Sequence, residues 1–117
     1  MSELKRFHAG PRDSEATVHN GTIYLAGQVA GDASQDIQGQ TAQVLAAIDQ
    51  LLSEAGSDKS RILRAQVFLA DIADFAGMNA VWDKWVLPGN GPARATVQAP
   101  LARPEWKIEI VVTAAVS

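Results

Sequence analysis

The chain is 117 residues long, 47% hydrophobic and 20% charged, which is the size and apolar content of a single globular domain. With a formal net charge of −3 and no block of lysines or arginines, it lacks the basic composition of nucleic-acid-binding proteins, so we expect no nucleic-acid partner. The absence of cysteine excludes disulfides, thiolate metal ligands and a cysteine nucleophile. Since no segment has the pattern of a signal peptide or a membrane span, the sequence predicts one cytoplasmic domain over residues 1–117, with no membrane partner.

The first patterned segment, from Ala16 to Ala30, predicts a β-hairpin. Asn20-Gly21 lies between two β-prone runs, and both residues tolerate the positive φ that a tight hairpin turn requires. In the second strand Ile23 and Leu25 point to one face of the sheet, while the residues between and after them point to the other.

The next segment, from about Ser34 to Ala55, predicts a helix. Asp32 and Ser34 are candidate N-caps, and Gly56 stands where a helix commonly ends. The apolar residues recur at helical spacing and form one stripe: Val44, Leu45, Ile48, Leu51, Leu52 and Ala55.

A strand is predicted from Ile62 to Ile72, with Phe68 on the face opposite Val67 and Leu69. A second helix follows from about Asp74 to Leu87. The apolar residues of this helix are predicted to form its buried stripe: Phe75, Met78, Trp82, Trp85 and Val86.

Two strands close the chain, from Ala93 to Leu101 and from Lys107 to Val116. In the first, Arg94, Thr96 and Gln98 share one face. In the second, the residues divide between two faces, with Ile108, Ile110, Val112 and Ala114 on one and Lys107, Glu109, Val111, Thr113 and Ala115 on the other.

The element order is therefore β-β-α-β-α-β-β, which predicts an α+β two-layer sandwich with both helices on one face of a mixed sheet. The opposite face carries Phe68, Val111 and Ala115, together with Tyr24 or Ala26. This face is too apolar to remain open to water in a monomer, and such patches usually mark interfaces. The pattern thus predicts an oligomer.

Few residues suit metal binding or nucleophilic catalysis. His8 and His19 do not lie at a metal-ligand spacing from each other, so we expect no metal site. No serine stands in a recognisable motif with a histidine, which argues against a serine hydrolase.

Arg94 and Glu109 are charged residues within strands that otherwise have the pattern of sheet interior. A buried unpaired charge costs several kcal/mol, so such residues are usually paired or functional. One interpretation is an ion pair between them, because their strands follow one another in the chain. The other is ligand binding, because a guanidinium matches the geometry of a carboxylate. Periodicity does not decide between the two.

Several motifs resemble those of the Rid (RidA/YjgF, reactive intermediate deaminase) family. The stretch Gly91-Pro-Ala-Arg-Ala-Thr-Val-Gln-Ala99, with Leu101, Pro104, Lys107-Ile-Glu-Ile110 and Ala114-Ala115, resembles the C-terminal signature of that family. The run Ile62 to Asp71, with Phe75, Met78-Asn79 and Trp82, resembles its central strand and second helix, and Tyr24-Leu-Ala-Gly-Gln28 resembles its second-strand motif. The resemblance covers almost the whole chain.

The resemblance implies a chorismate-mutase-like fold and a homotrimer with ligand clefts between subunits. It also implies hydrolysis of small enamines and 2-imino acids to 2-oxo acids and ammonia, with no cofactor. Arg94 matches the arginine that grips the substrate carboxylate, and Glu109 matches the glutamate that positions or activates water. Gly27, Gln28 and Thr96 fall in the matched motifs and are further candidate substrate-binding residues.

Two departures from the family pattern indicate a divergent subgroup. Where archetypal members have Gly-Pro-Tyr-Ser-Gln, this chain has Gly10-Pro11-Arg12-Asp13-Ser14-Glu15, and Thr96 replaces a common cysteine. Arg12 is either a second anion contact or an ordinary surface arginine. The missing tyrosine leaves an alternative function open, that of a non-catalytic trimer which binds a small carboxylate or 2-oxo acid in an intersubunit cleft.

Overall fold

The computed structural model describes residues 3–116, which form one six-stranded sheet and two α-helices. The strands are β1 (Lys5–Phe7), β2 (Ala16–His19), β3 (Thr22–Leu25), β4 (Ile62–Leu69), β5 (Ala93–Gln98) and β6 (Ile108–Ala115). The helices are α1 (Ile37–Glu54) and α2 (Phe75–Trp85), and short 3₁₀ turns lie at Lys59–Arg61 and Ile72–Asp74. The predicted α+β sandwich with a mixed sheet is confirmed.

The strands are arranged in the order β1-β2-β3-β6-β4-β5. β4 and β5 are parallel, and the other pairs are antiparallel. β5 therefore forms one edge of the sheet, and β4 lies between β5 and β6. Because β5 and β6 follow one another in the chain, they could be expected to be neighbours in the sheet, but β4 lies between them.

The strand β1 was not predicted from the sequence. It has only three residues, and its pairing with β2 places Arg6 opposite Thr17. A segment this short and this charged carries no strand pattern of its own, so its conformation depends on the β2 edge that it joins.

Several predicted boundaries differ from the structure, and at two of them an aspartate caps a turn that the sequence pattern did not predict. The α1 helix begins at Ile37, and Asp36 caps it by accepting a hydrogen bond from the Gly39 amide at 2.9 Å. Asp32 instead bonds Ser34 within the preceding loop. The β4 strand ends at Leu69 rather than Ile72, since a 3₁₀ turn follows in the chain.

The core lies between the helices and one face of the sheet. Met78 and Trp82 of α2 are buried there as predicted, whereas Phe75 is 42% exposed, so its assignment to the buried stripe was wrong. Phe75 is the first residue of α2 and directly follows the 3₁₀ turn, so it lies at the end of the helix rather than along its buried stripe. The predicted α1 stripe is buried from Val44 to Leu52.

The other face of the sheet has no helix against it, and we call it the open face. It carries Tyr24, Phe68, Val97, Val111 and Ala115, because their neighbours along each strand point into the core. Tyr24 is 51% exposed and Val97 43% exposed. Of the apolar residues predicted for this face, Tyr24 is exposed and Phe68, Val111 and Ala115 are half-buried, so the prediction that no helix of the same chain covers them is confirmed. Neither helix in residues 3–116 is long and apolar enough to cross a membrane.

Candidate functional site

Arg94 lies near the start of the edge strand β5, on the helix side of the sheet. The parallel pairing of β5 with β4 places Arg94 beside Ala65, which is fully buried under the helices. The guanidinium reaches α2, where its Cζ lies 4.8 Å from the centroid of the Trp82 ring. Its Nη1 donates to the sulfur of Met78 at 3.7 Å. A thioether is a weak acceptor, so this contact orients the guanidinium without neutralising its charge.

The Arg94 charge has no carboxylate partner in the described part of the chain. The salt bridge recorded among residues 3–116 joins His8 and Glu54 at 2.7 Å. Partial burial lowers the pKa of the Arg94 guanidinium, and the negative charge of Asp83 acts in the opposite direction. An arginine nevertheless stays protonated in proteins, so Arg94 presents a charged donor fork without an anion to receive it.

Two further buried polar atoms, on the helix and the strand that hold Arg94, lack hydrogen-bond partners among the described residues. They are Oγ1 of Thr96, two positions along β5 on the same face, and Oδ1 of Asn79, which follows Met78 on α2. Buried polar atoms are usually satisfied, so two unsatisfied ones on the elements that hold a cation without a carboxylate partner mark this region as a candidate ligand site. We call these five residues the arginine half-site: Met78, Asn79, Trp82, Arg94 and Thr96.

Glu109 lies on β6 opposite Phe68 of β4, and its side chain is on the open face. The space beside it exists because residue 27 is a glycine. A Cβ built on Gly27 would come within 2.8 Å of the Cδ of Glu109 and closer still to its Oε2. We call Gly27 and Glu109 the glutamate half-site.

The backbone of Gln28 fixes this arrangement. Its N–H donates to the Ile110 carbonyl at 2.9 Å, and its carbonyl accepts from the Ile110 N–H at 3.1 Å. The Gln28 side chain is buried and donates to the carbonyl of Ala26 at 3.1 Å. In this structure Gln28 therefore ties the loop after β3 to β6 and holds Gly27 near Glu109.

Arg12 lies in the loop between β1 and β2 and is exposed. The same loop ends at Glu15, whose carbonyl accepts a hydrogen bond from the Ala26 N–H at 2.8 Å, one residue before Gly27. The loop that carries Arg12 is thus joined to the loop of the glutamate half-site.

Arg94 and Glu109 do not form the ion pair that their sequence positions allow. Their side chains lie on opposite faces of the sheet, and their strands are separated by β4. Two strand spacings amount to about 10 Å, which is beyond ion-pair distance even without the change of face. That interpretation was wrong because it assumed that β5 and β6 are neighbours.

The sequence pattern did not identify the contacts that Arg94 makes. Met78 and Trp82 follow the apolar stripe of α2, and periodicity assigns them to the core. They contribute to the core and also support the guanidinium, but no residue pattern distinguishes these two roles. Among residues 3–116, no three histidine, aspartate or glutamate side chains are grouped so as to hold a metal ion.

Known proteins match this chain over nearly its full length. A family model described as endoribonuclease L-PSP matches residues 4–116. A RutC family protein of Haemophilus ducreyi is 50% identical over 114 residues, covering 97% of each chain. The crystal structure of a YjgF-family protein from Neisseria meningitidis superposes with a TM-score of 0.96 at 49% identity, covering 98% of this chain and 96% of that one.

A more distant relative is the chloroplastic Reactive Intermediate Deaminase A of Arabidopsis thaliana. It is 32% identical over 103 residues, which are 83% of this chain and 54% of that protein. Together these matches show that the chain belongs to the endoribonuclease L-PSP family, which is the RidA/YjgF family that its motifs resemble.

Proposed function

We propose that this protein is a deaminase that hydrolyses small 2-imino acids and their enamine tautomers to 2-oxo acids and ammonia, in the cytoplasm and without a cofactor. The observation that carries the proposal is the Arg94 guanidinium, which is held against Trp82 and Met78 and has no carboxylate partner among residues 3–116. A planar guanidinium that has no carboxylate partner can donate two parallel hydrogen bonds to a small carboxylate ligand. The name of the Arabidopsis relative indicates the reaction class.

The chemistry requires little beyond binding and proton transfer. A protonated imine, with a C=N bond next to the carboxylate, is already electrophilic. Water adds to the imine carbon and gives up a proton to the Glu109 carboxylate, forming a carbinolamine. The nitrogen takes this proton back from Glu109, the C–N bond breaks, and ammonia leaves as the hydroxyl gives its proton to the Glu109 carboxylate and becomes the carbonyl of the 2-oxo acid, after which Glu109 releases the proton to water. Arg94 holds the substrate carboxylate and Glu109 handles the proton, roles that positioned groups fill efficiently.

The placement of these two residues supports an assembly as part of the proposal. Because Arg94 and Glu109 of one chain lie on opposite faces of the sheet, they cannot contact the same small substrate. We therefore propose a homotrimer in which the open faces are covered and each cleft combines the arginine half-site of one copy with the glutamate half-site of the next. Thr96 and Asn79 then contact the substrate beside Arg94, while Gly27 and the loop bearing Arg12 lie beside Glu109.

Ammonia release from freshly generated 2-iminobutanoate tests this proposal. We expect acceleration over the buffer rate for the wild type and its loss in Arg94→Ala. The matched control is Arg103→Ala, since Arg103 also lies over a tryptophan, with its Cζ 5.3 Å from the Trp106 ring centroid. A folded wild-type protein that accelerates no imine in a panel of bulkier substrates would overturn the proposal.

The alternative function is a trimer that binds a small carboxylate or 2-oxo acid without turnover. It is favoured by the loop that replaces the archetypal tyrosine with Arg12, which is exposed and charged. Stabilisation by 2-oxobutanoate in the wild type but not in Arg94→Ala, without hydrolysis of any imine, would favour this function. The mild acidity of the chain and its lack of a basic stripe argue against nucleic acid as a substrate, although the family is described as an endoribonuclease.

A further inference from the structure

A groove with a volume of about 320 Å³ runs between α1 and α2 on the outer surface of the helix layer. Its apolar lining comes from Leu45 and Val81, with the Trp85 ring at one end. The groove is open because two residues of α1 that line it are small, namely Ala42 and Ala46. A volume near 300 Å³ with a mostly apolar lining and a few polar groups is typical of a small-molecule site.

Three charged residues surround this apolar lining: Lys59, Lys84 and Asp49. Asp49 already has a partner, because its Oδ2 accepts a hydrogen bond from Nε1 of Trp85 at 2.9 Å. The ammonium of Lys59 lies 5.3 Å from the centroid of the Trp85 ring. Two lysines thus outweigh one engaged carboxylate, giving the groove a net positive charge in a chain of net charge −3.

We propose that this groove is a second ligand site, which binds a small carboxylate with an apolar, ring-sized body. The ring packs against Trp85 and over the two alanines, and the carboxylate faces the lysine ammonium groups. This inference goes beyond the proposed deaminase function and does not depend on it, since none of the groove residues belongs to the arginine or glutamate half-sites.

The groove is separated from Arg94 by two indoles that contact each other in a tilted arrangement. Trp85 borders the groove, and its ring centroid lies 5.3 Å from that of Trp82, at an interplanar angle of 53°. Arg94 then lies over the Trp82 ring, 4.8 Å from its centroid. The groove is also on the side of the molecule away from the open face, so it stays accessible if other copies cover that face.

Titration calorimetry with phenylacetate tests the proposal, and it is done in the full-length Arg94→Ala variant so that the proposed carboxylate anchor does not contribute. We expect saturable binding there, with phenylethanol, a neutral analogue of similar shape, binding at least about 5-fold more weakly. Lys84→Gln should weaken phenylacetate binding about 2- to 5-fold, as expected for one exposed charge. Lys107→Gln, an exposed lysine outside the groove, should leave binding unchanged.

Filling the groove gives the decisive comparison. Ala46 is exposed on α1, so Ala46→Phe places a ring in the groove without disturbing the core, and circular dichroism checks that the helix content is retained. We expect at least a 10-fold loss of phenylacetate affinity. The proposal is overturned if Arg94→Ala binds no phenylacetate, or if a folded Ala46→Phe protein binds it as tightly as its parent. Because the deaminase proposal already predicts that Arg94→Ala has no imine turnover, these measurements test ligand binding in the groove alone.

Discussion

Arg94 and Glu109 lie on opposite faces of one sheet, on strands that are separated by β4. Each has its own supporting residues: Trp82 and Met78 beneath the guanidinium, and Gly27 beside the carboxylate. Under the proposed function, a chain with this arrangement carries two half-sites rather than one complete site. A reaction that needs both residues at one small substrate then requires at least two copies, and this requirement follows from their placement on opposite faces of the sheet.

The shared site predicts complementation between two inactive variants. Arg94→Ala and Glu109→Gln should each abolish imine hydrolysis, yet a mixture that is unfolded and refolded together should regain it. In a ring assembled at random from equal amounts, about one quarter of the clefts combine an intact arginine with an intact glutamate. Ammonia release from the co-refolded mixture measures the recovery.

The control for this experiment is the same mixture without unfolding, which should stay inactive while the subunits do not exchange. Chains that carry both substitutions, refolded with an equal amount of wild type, should also leave about one quarter of the clefts with both residues intact. The ammonia-release activity of that mixture should match this fraction. Absence of recovery from well-folded mixed oligomers would place both residues in a cleft formed by a single chain, contrary to the strand order described above.

Ligand affinity should depend on the fork geometry of Arg94 and not only on its charge. A charge-assisted hydrogen-bond pair contributes about 1.5–3 kcal/mol, so Arg94→Ala should weaken 2-oxobutanoate binding about 10- to 100-fold. Arg94→Lys keeps the charge but loses the planar donor pair, and most of the loss should remain. Calorimetric titration gives both values, and wild-type affinity in Arg94→Lys would show that charge alone suffices.

Local patterns predicted most of the fold, but they left out what long-range pairing determines. The Asn20-Gly21 turn has positive φ at both residues, 51° and 77°, as the dipeptide predicts. The alternation in β6 also matches its burial, with Ile108, Ile110 and Val112 in the core. These features depend on neighbours a few residues away, which is why the sequence reveals them.

The candidate site was harder to predict because its geometry depends on sheet order. No local pattern indicates that β4 lies between β5 and β6. This order separates Arg94 from Glu109, and the register of β5 against β4 places Arg94 on the helix side of the sheet. The residue types were available from the sequence, and the family resemblance suggested the roles that are proposed for them. The contact of Arg94 with Trp82 depends on how α2 packs against β5, and this packing has no local sequence pattern.

Gly27 should be required for the position of Glu109. In Gly27→Ala the added Cβ would collide with the Glu109 carboxyl group and displace it. We expect kcat for imine hydrolysis to fall at least about 10-fold while KM, which reports the Arg94 contact, changes little. Gly31→Ala is the matched control, because a Cβ there meets its nearest neighbour, Oε1 of Gln43, at 4.0 Å. Equal activities of the two variants would remove Gly27 from the site.

The stability of the region before Glu109 should depend on one buried amide. The side-chain nitrogen of the fully buried Gln40 lies 3.1 Å from each of three carbonyl oxygens, those of Ala33, Gln35 and Glu105. Its Oε1 accepts from the Lys107 N–H at 2.9 Å, two residues before Glu109. Gln40→Ala leaves these backbone groups unpaired, so the free energy of unfolding should drop by about 2–4 kcal/mol.

Urea unfolding of Gln40→Ala and of the exposed control Gln38→Ala measures this difference, and the control should stay within about 0.5 kcal/mol of wild type. Because the bond to Lys107 also fixes the chain entering β6, imine hydrolysis by folded Gln40→Ala should fall while the affinity for 2-oxobutanoate at Arg94 is retained. A variant as stable as Gln38→Ala would mean that water replaces the lost amide at no cost, which a site this buried and this densely bonded does not favour.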